Sequence, residues 1–399
     1  MRLAERGGSV ALVAILAMTM AGGRVGAAQT PVSAPGAVPA EELSAAINRL
    51  GAFDFPTRLA ASRVVRRTAA AQAVPALIAA AKAHADSYVR YRALVLLAGF
   101  GDPSTPDIMR SLMADPNDRL RAVAYAWFEH HPSPAVVPAL IEALPREVSE
   151  FVRPSLTRAL AAQQGDARAQ TALLPLVTSG EDFFRGEVIV ALGDYRVTAA
   201  RDAILSVAKL DGSLQEDAVL ALGKLGDTGV LDALAALQRT VPHERQPSIA
   251  AALCQLGVNC DTQHKYLSET LRYAADTAGY QLLLRSTAHA LGALATRGDQ
   301  AALTVLFDAG IPASDASRAP IALAIGEAAV RDPAAMLRFL GERKDQAAAI
   351  ELLRDAFDML EEDFEEELFY VDVRRAYWAA AEGSAARQVA EAVIQKLEF

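Results

Sequence analysis

Apolar positions between residues 57 and 222 recur on two scales. Within a segment they fall at i, i+4, i+7 and i+8, one stripe of an α-helix. From Val89 the stripe runs through Ala93, Leu96 and Leu97; from Leu120 through Ala124, Trp127 and Phe128; from Val152 through Leu156, Ala159 and Leu160. Phe184 and Leu214 open the same series, with Val188, Ala191 and Leu192, and with Ala218, Ala221 and Leu222. The segments themselves recur. The apolar–Arg pairs Val89-Arg90, Leu120-Arg121, Val152-Arg153 and Phe184-Arg185 are spaced 31, 32 and 32 residues apart. Thr57-Arg58 lies 32 residues before them and Leu214-Gln215 lies 30 after. The pentapeptide Val-Pro-Ala-Leu-Ile occurs at 74–78 and again at 137–141, two repeats apart.

A shorter apolar segment precedes each long one. Leu77-Ile78, Ile108-Met109 and Leu140-Ile141 each begin 13 residues before the arginine. The unit is therefore helix, turn, helix. Asp86 or Ser87, Asn117 or Asp118, Ser149, Asp182, and Asp211 or Ser213 stand ahead of the second helix, where a side-chain oxygen accepts orphan N–H groups. Gly-Asp pairs at 101–102, 193–194 and 226–227 are expected to end that helix in a left-handed cap. One such hairpin cannot bury its stripe alone, but a stack of them can. The pattern predicts an all-α fold: a right-handed α-α superhelical solenoid of about six to eight helical hairpins, with a divergent helical C-terminal part.

The apolar–Arg opening, the alanine that follows it, and the endings at 190–194 and 220–227 resemble HEAT repeats, in particular the short bacterial HEAT-like repeat of the phycobilisome lyase type. The resemblance covers about residues 45–257. It implies that Arg58, Arg90, Arg121, Arg153 and Arg185 form a structural polar ladder with acidic turn residues, and their even spacing favours the same role. A unit near 246–256 lacks the arginine and carries Pro247. The motif returns at Leu284-Arg285, with Ala288, Leu291 and Gly292, and the beat is lost after about residue 300. The expected organisation is a signal peptide at 1–28, a flexible linker at 29–44, a HEAT-like solenoid at 45–262, and divergent helical repeats with acidic C-terminal helices at 263–399.

The signal peptide rests on Arg2 and Arg6, an apolar run from Val10 to Ala21, and small residues at Gly26, Ala27 and Ala28 ahead of Gln29. The apolar run is too short to span a bilayer comfortably, and no later segment approaches 18 uninterrupted apolar residues. The mature chain is thus expected in the periplasm or outside the cell, without a membrane span. Export changes the reading of Cys254 and Cys260. They form either a local disulfide across the turn at Gly257, or a small core residue and a free thiol. A metal site is not expected, since two cysteines alone are not a ligand set.

The net charge is −9, and −11 without residues 1–28. That balance argues against a nucleic-acid partner, which needs a basic surface. Residues 345–399 hold 14 acidic and 5 basic side chains. Within them Glu361, Glu362, Asp363, Glu365, Glu366 and Glu367, with Phe369 and Tyr370, form either a solvated helix face or a candidate patch for a basic partner. The six histidines are scattered, and His130-His131 point in different directions on a helix. No nucleophile, metal or phosphate-binding motif is present. The expectation is a non-catalytic scaffold or adaptor for a protein partner, with no cofactor. Two alternatives remain. One is a lyase or chromophore-handling factor similar to the phycobilin lyases; the other is an obligate structural subunit of an envelope complex.

Overall fold

The computed structural model describes residues 34–399, apart from 361 and 362. The expected signal peptide lies outside the described residues. Among the described residues, twenty-two α-helices follow one another as eleven hairpins. The first five are α1 (Ala40–Arg49) with α2 (Phe55–Arg67), α3 (Ala70–Ala83) with α4 (Ser87–Ala98), α5 (Thr105–Leu112) with α6 (Asp118–His130), α7 (Val137–Ala143) with α8 (Arg153–Ala161), and α9 (Ala167–Leu173) with α10 (Asp182–Asp194). Next come α11 (Arg201–Ala208) with α12 (Gln215–Leu225), α13 (Leu231–Gln238) with α14 (Gln246–Gln255), and α15 (Cys260–Asp276) with α16 (Gln281–Ala295). The last three are α17 (Gln300–Gly310) with α18 (Asp315–Arg331), α19 (Pro333–Glu342) with α20 (Gln346–Leu360), and α21 (Asp363–Ala379) with α22 (Ala385–Leu397).

Even-numbered helices pack successively on one another from α4 to α22 and form the inner layer; odd-numbered helices form the outer layer. The stripe that defined the repeat is the core: Val89, Ala93, Leu96 and Leu97, like Leu120, Ala124 and Phe128, are buried. Inner helices approach closely where a small residue faces the next turn of the stack. A Cβ on Gly193 would stand 2.8 Å from Ala221, one on Gly223 would stand 2.6 Å from the Ala252 Cα, and one on Gly292 would stand 3.0 Å from the Ala324 Cβ.

Several expectations need correction. The expected six to eight HEAT-like hairpins with a divergent helical C-terminal part are present: eight run through α16, and three more, α17 to α22, follow because hairpin packing continues where the arginine beat fails. Pro247 sits in the first turn of α14 and is tolerated there. The beat also persists in disguise: Arg318 donates to the Gly310 and Ile311 carbonyls and to Asp355, and was missed because Ser317 precedes it in place of an apolar residue. The linker does not extend to residue 44. Leu43, Ala46 and Ile47 occupy one face of α1 and are buried, while Gly36 bridges to Thr68 and Val38 exchanges hydrogen bonds with Gln72. Asp86 and Asn117 cap α4 and α6 as expected. Ser149, Asp182 and Asp211 or Ser213 do not cap their helices. Gly101 and Gly226 adopt positive φ, but Gly193 remains inside α10 and serves the close helix contact instead.

The solenoid closes on itself. α21 packs against α4 at the opposite end of the chain. Its Glu367 accepts from Arg66 Nε to both oxygens at 3.0 Å and from Nη2 at 2.6 Å, with both side chains buried. Asp363 accepts from Tyr91 at 2.7 Å and pairs with Arg92 at 2.5 Å. Glu365 pairs with His130 at 2.9 Å, and Arg374 donates to the Arg66 carbonyl at 2.9 Å. Gly99 leaves room for Val371 and Glu367, which a Cβ there would meet at 2.8 and 3.2 Å.

Candidate functional site

The position just before each apolar–Arg pair lies at or just before the first turn of the inner helix, and stacking places these helix starts along one edge. Tyr88, Arg119, Phe151 and Phe183 occupy this position in successive repeats. The Arg119 guanidinium lies over three rings: Tyr88 at 5.8 Å, Tyr91 at 5.5 Å and Phe151 at 5.8 Å. Arg58 continues the series between Phe55 and Tyr88, and Arg153 lies 5.0 Å from the Phe184 ring. Such contacts contribute roughly 0.5–1 kcal/mol each at exposed sites, enough to orient the side chains but not to hide them. Phe151 remains 56% exposed, Phe183 59% and Phe55 62%; Phe53 and Val148 beside them are exposed too. Among the described residues no carboxylate lies within 4.0 Å of the Arg58, Arg119 or Arg153 guanidinium. The result is a ridge of aromatic faces and guanidinium groups, with Asp54 near Arg58 and Glu147 near Arg153 but not in direct ion pairs with them. The side chains were visible in the sequence at the repeat period, yet only the core stripe was followed there.

The five ladder arginines share one contact. Arg90, Arg121, Arg153 and Arg185 each donate to a backbone carbonyl near the end of the preceding outer helix: Ala81, Asp115, Glu147 and Val177. Arg58 does the same to Ala52 and Phe53. Only Arg90 and Arg121 add an acid from the next turn, Asp115 at 2.5 Å and Glu147 at 2.8 Å. Arg185 pairs locally with Asp182, and Arg58 and Arg153 stop at carbonyls. The ladder is thus a row of C-terminal caps with two acidic rungs.

The acidic segment does not form an outward patch. Asp363, Glu365 and Glu367 are held by the contacts that close the solenoid, and Phe369 is buried against Phe357. Tyr370 donates to Glu366 and stacks on Phe399. Glu361 and Glu362 lie outside the described residues. The physical reason is charge matching within the chain: the basic partner is Arg66, Arg92 and His130.

A second polar stripe lines the hollow, about a third of a turn from the core stripe. Counted from the first residue of each apolar–Arg pair or its equivalent, it takes positions +3, +6 and +10: Arg158, Glu187, Asp194, Asp217 and Lys224. Arg158 pairs with Glu129 at 2.8 Å and with Asp194 at 3.0 Å, and Lys224 reaches Asp194 at 2.7 Å. Burial would raise the Asp194 carboxyl, but Lys224 and Arg158 outweigh it and hold it at about 2. Other groups in the hollow shift the opposite way. Desolvation raises Glu187, Asp217 and Glu327, none of which has a cation close enough to compensate. For His289, burial would lower the pKa, but Glu216 at 3.7 Å and the charges of Glu327 and Asp217 leave it raised. His289, Glu327 and Arg285 border a cavity of about 370 Å³ whose other walls include Leu284, Leu323 and Met359. Arg285 occupies a ladder position but has no acidic partner within 4.0 Å among the described residues.

Cys254 and Cys260 are joined as a disulfide, which settles the alternatives left open by their spacing. His131 stacks on Trp127 at 4.0 Å, while His130 faces Glu365. Among the described residues no helix is long and apolar enough to cross a membrane.

Residues 43–129, which lie in the first three hairpins, match the family described as HEAT repeats. No curated protein matches the chain. Among solved structures, the complex of CpcE and CpcF of phycocyanin lyase from Nostoc sp. PCC7120 is similar at 21% identity and a TM-score of 0.41. The match covers 65% of this chain and 96% of that one.

Proposed function

We propose that this chain is an exported, non-catalytic scaffold that binds a protein partner along the aromatic and arginine ridge. The observation that carries this reading is the ridge itself. Tyr, Phe and Arg are the side chains that dominate binding energy at protein interfaces, and here they recur once per repeat on one edge with their apolar faces in water. Arginines that form no direct ion pair suit a partner segment that carries carboxylates between apolar side chains. The polar, closed hollow is poorly suited to admit a second folded chain, which leaves the outer edge as the contact surface. The test is capture of the mature protein from its native envelope, comparing the natural chain with the double variant Phe151→Ser, Phe183→Ser. The expected result is one stoichiometric partner, its recovery lowered at least tenfold by the variant while the melting temperature holds, and a mature chain that begins at Gln29. Equal recovery by the two forms would refute the ridge.

A second reading rests on the cavity beside His289 and Glu327. Its apolar walls and its cationic Arg285 suit a small ligand with an acidic group, the kind of role a lyase-like or ligand-handling repeat protein would have. Recovery of the chain alone with a bound small molecule would favour it.

A further inference from the structure

The disulfide is surrounded by more ligand chemistry than a staple needs. Cys254 lies in the last turn of α14 and Cys260 is the first residue of α15. The turn between them passes through positive φ at Gly257 and Asn259, which brings the two Cα atoms to 4.3 Å. His264 is one helical turn beyond Cys260, so the two share a face of α15. Asp299 arrives from the next hairpin as the N-cap of α17. Its Oδ1 accepts from the Ala302 N–H at 3.0 Å, which leaves Oδ2 at 2.7 Å from His264 Nε2. The other ring nitrogen of His264 is buried and has no hydrogen-bond partner. One ligand atom from each of Cys254, Cys260, His264 and Asp299 lies within 4.8 Å of every other.

We propose that this cluster is a redox-gated site for one divalent zinc ion. Two thiolates, one imidazole and one carboxylate are a closed four-ligand set for zinc, whose metal–ligand bonds of about 2.0–2.3 Å place tetrahedral ligands about 3.3–3.8 Å apart. On reduction the two sulfurs move apart toward that spacing, and the other ligand atoms, all within 4.8 Å of one another, close in on it. In the disulfide state the sulfurs are not thiolates and the set is incomplete. A small dithiol opens it by exchange: the dithiol becomes a disulfide, and the protein disulfide takes up its two electrons and two protons as two thiols. Zinc binding then releases those two protons to solvent. Cys260 begins a helix, where the aligned N–H groups favour the thiolate. A disulfide alone accounts for the cysteines. It does not account for His264, one turn along the same helix, and Asp299, from the next hairpin, converging on them. In the disulfide state α14 is linked to α15 through the sulfurs and α15 to α17 through His264 and Asp299; the metal state would join all three elements at one centre.

The test is optical titration of the full chain with Co²⁺, followed by Zn²⁺ displacement, before and after reduction by a dithiol that is then removed. The expected result is one equivalent of Co²⁺ bound by the reduced chain, with a thiolate charge-transfer band and tetrahedral ligand-field bands, and displacement by one equivalent of Zn²⁺. The disulfide form shows neither. Cys260→Ser removes the charge-transfer band. His264→Gln and Asp299→Asn, the latter keeping an oxygen to cap α17, each weaken binding at least tenfold with the far-UV spectrum unchanged. Equal binding by the oxidised form, no thiolate band in the reduced form, or full affinity in both the His264 and Asp299 variants would overturn the assignment.

Discussion

Arg66 and Glu367, 301 residues apart, form a buried ion pair through three hydrogen bonds at the meeting point of α2 and α21. Solenoid contacts ordinarily join neighbours in sequence, so this pair is of a different kind. Glu367→Ala would leave the Arg66 guanidinium buried without an anion, a change that costs about 3–5 kcal/mol. The expected signature is loss of hydrogen-exchange protection in α21 together with a larger radius of gyration by small-angle scattering. Unchanged protection in α21 would show that apolar packing closes the solenoid without the pair.

The Arg121 side chain holds the Asp115 carbonyl and both oxygens of Glu147. Arg121→Ala strips partners from a buried carboxylate and from a helix end, and should cost about 1–3 kcal/mol. Partner capture through the ridge should persist in that variant. Unfolding by urea alongside the capture assay separates the two effects, and a variant with normal stability and no partner would contradict a structural ladder.

Gly223→Val tests the close packing of inner helices. Even a Cβ would stand 2.6 Å from the Ala252 backbone, so α12 and α14 must move apart. Overpacking of this kind costs about 1–3 kcal/mol, read as a lower melting temperature. Gly101→Val, where a Cβ meets nothing, tests backbone strain at positive φ separately from crowding.

Stability should pass through a maximum near mildly acidic pH. His130 and His289 are raised above their ordinary 6.5, so what they contribute is fully present below 6.5 and is lost as pH rises through their folded values. Raised Glu187, Asp217 and Glu327 act in the same direction, since the fold holds their protons more tightly than the unfolded chain does. Asp194 acts in the opposite direction. Its contribution, about 2 kcal/mol for a shift from 3.8 to about 2, is present above 3.8 and is lost as pH falls toward 2. Melting temperature measured from pH 2 to 9 should therefore rise and then fall. His289→Gln should flatten the alkaline limb, and an unchanged limb would remove His289 from the account.

The repeat was legible because its signal is local: five registers of one stripe predicted the helices, their pairing and the buried faces. The closure was not. Glu367 reads as one more charge in an acidic run, and Arg66 as one more surface arginine, until curvature brings the two ends together. The polar stripe of the hollow failed to register for the same reason. Arg158, Asp194 and Lys224 each look like a solvated helix face, and they become a network only when successive inner helices turn toward a common axis. His264 stands only four residues beyond Cys260, but Asp299 is separated from the cysteines by the α15–α16 hairpin, a distance that spacing rules for metal ligands do not bridge.

An open stack of helical hairpins behaves as a spring, lengthening under small forces by sharing strain among many joints. The contact between α21 and α4 turns that spring into a clasped hoop. A pull on its two ends should meet a stiff response until the Arg66–Glu367 clasp gives way, and a compliant one afterwards. While the clasp holds, the curvature of the inner layer is fixed, and with it the approach of α18 to α6, where Arg331 stands 3.8 Å from Glu129.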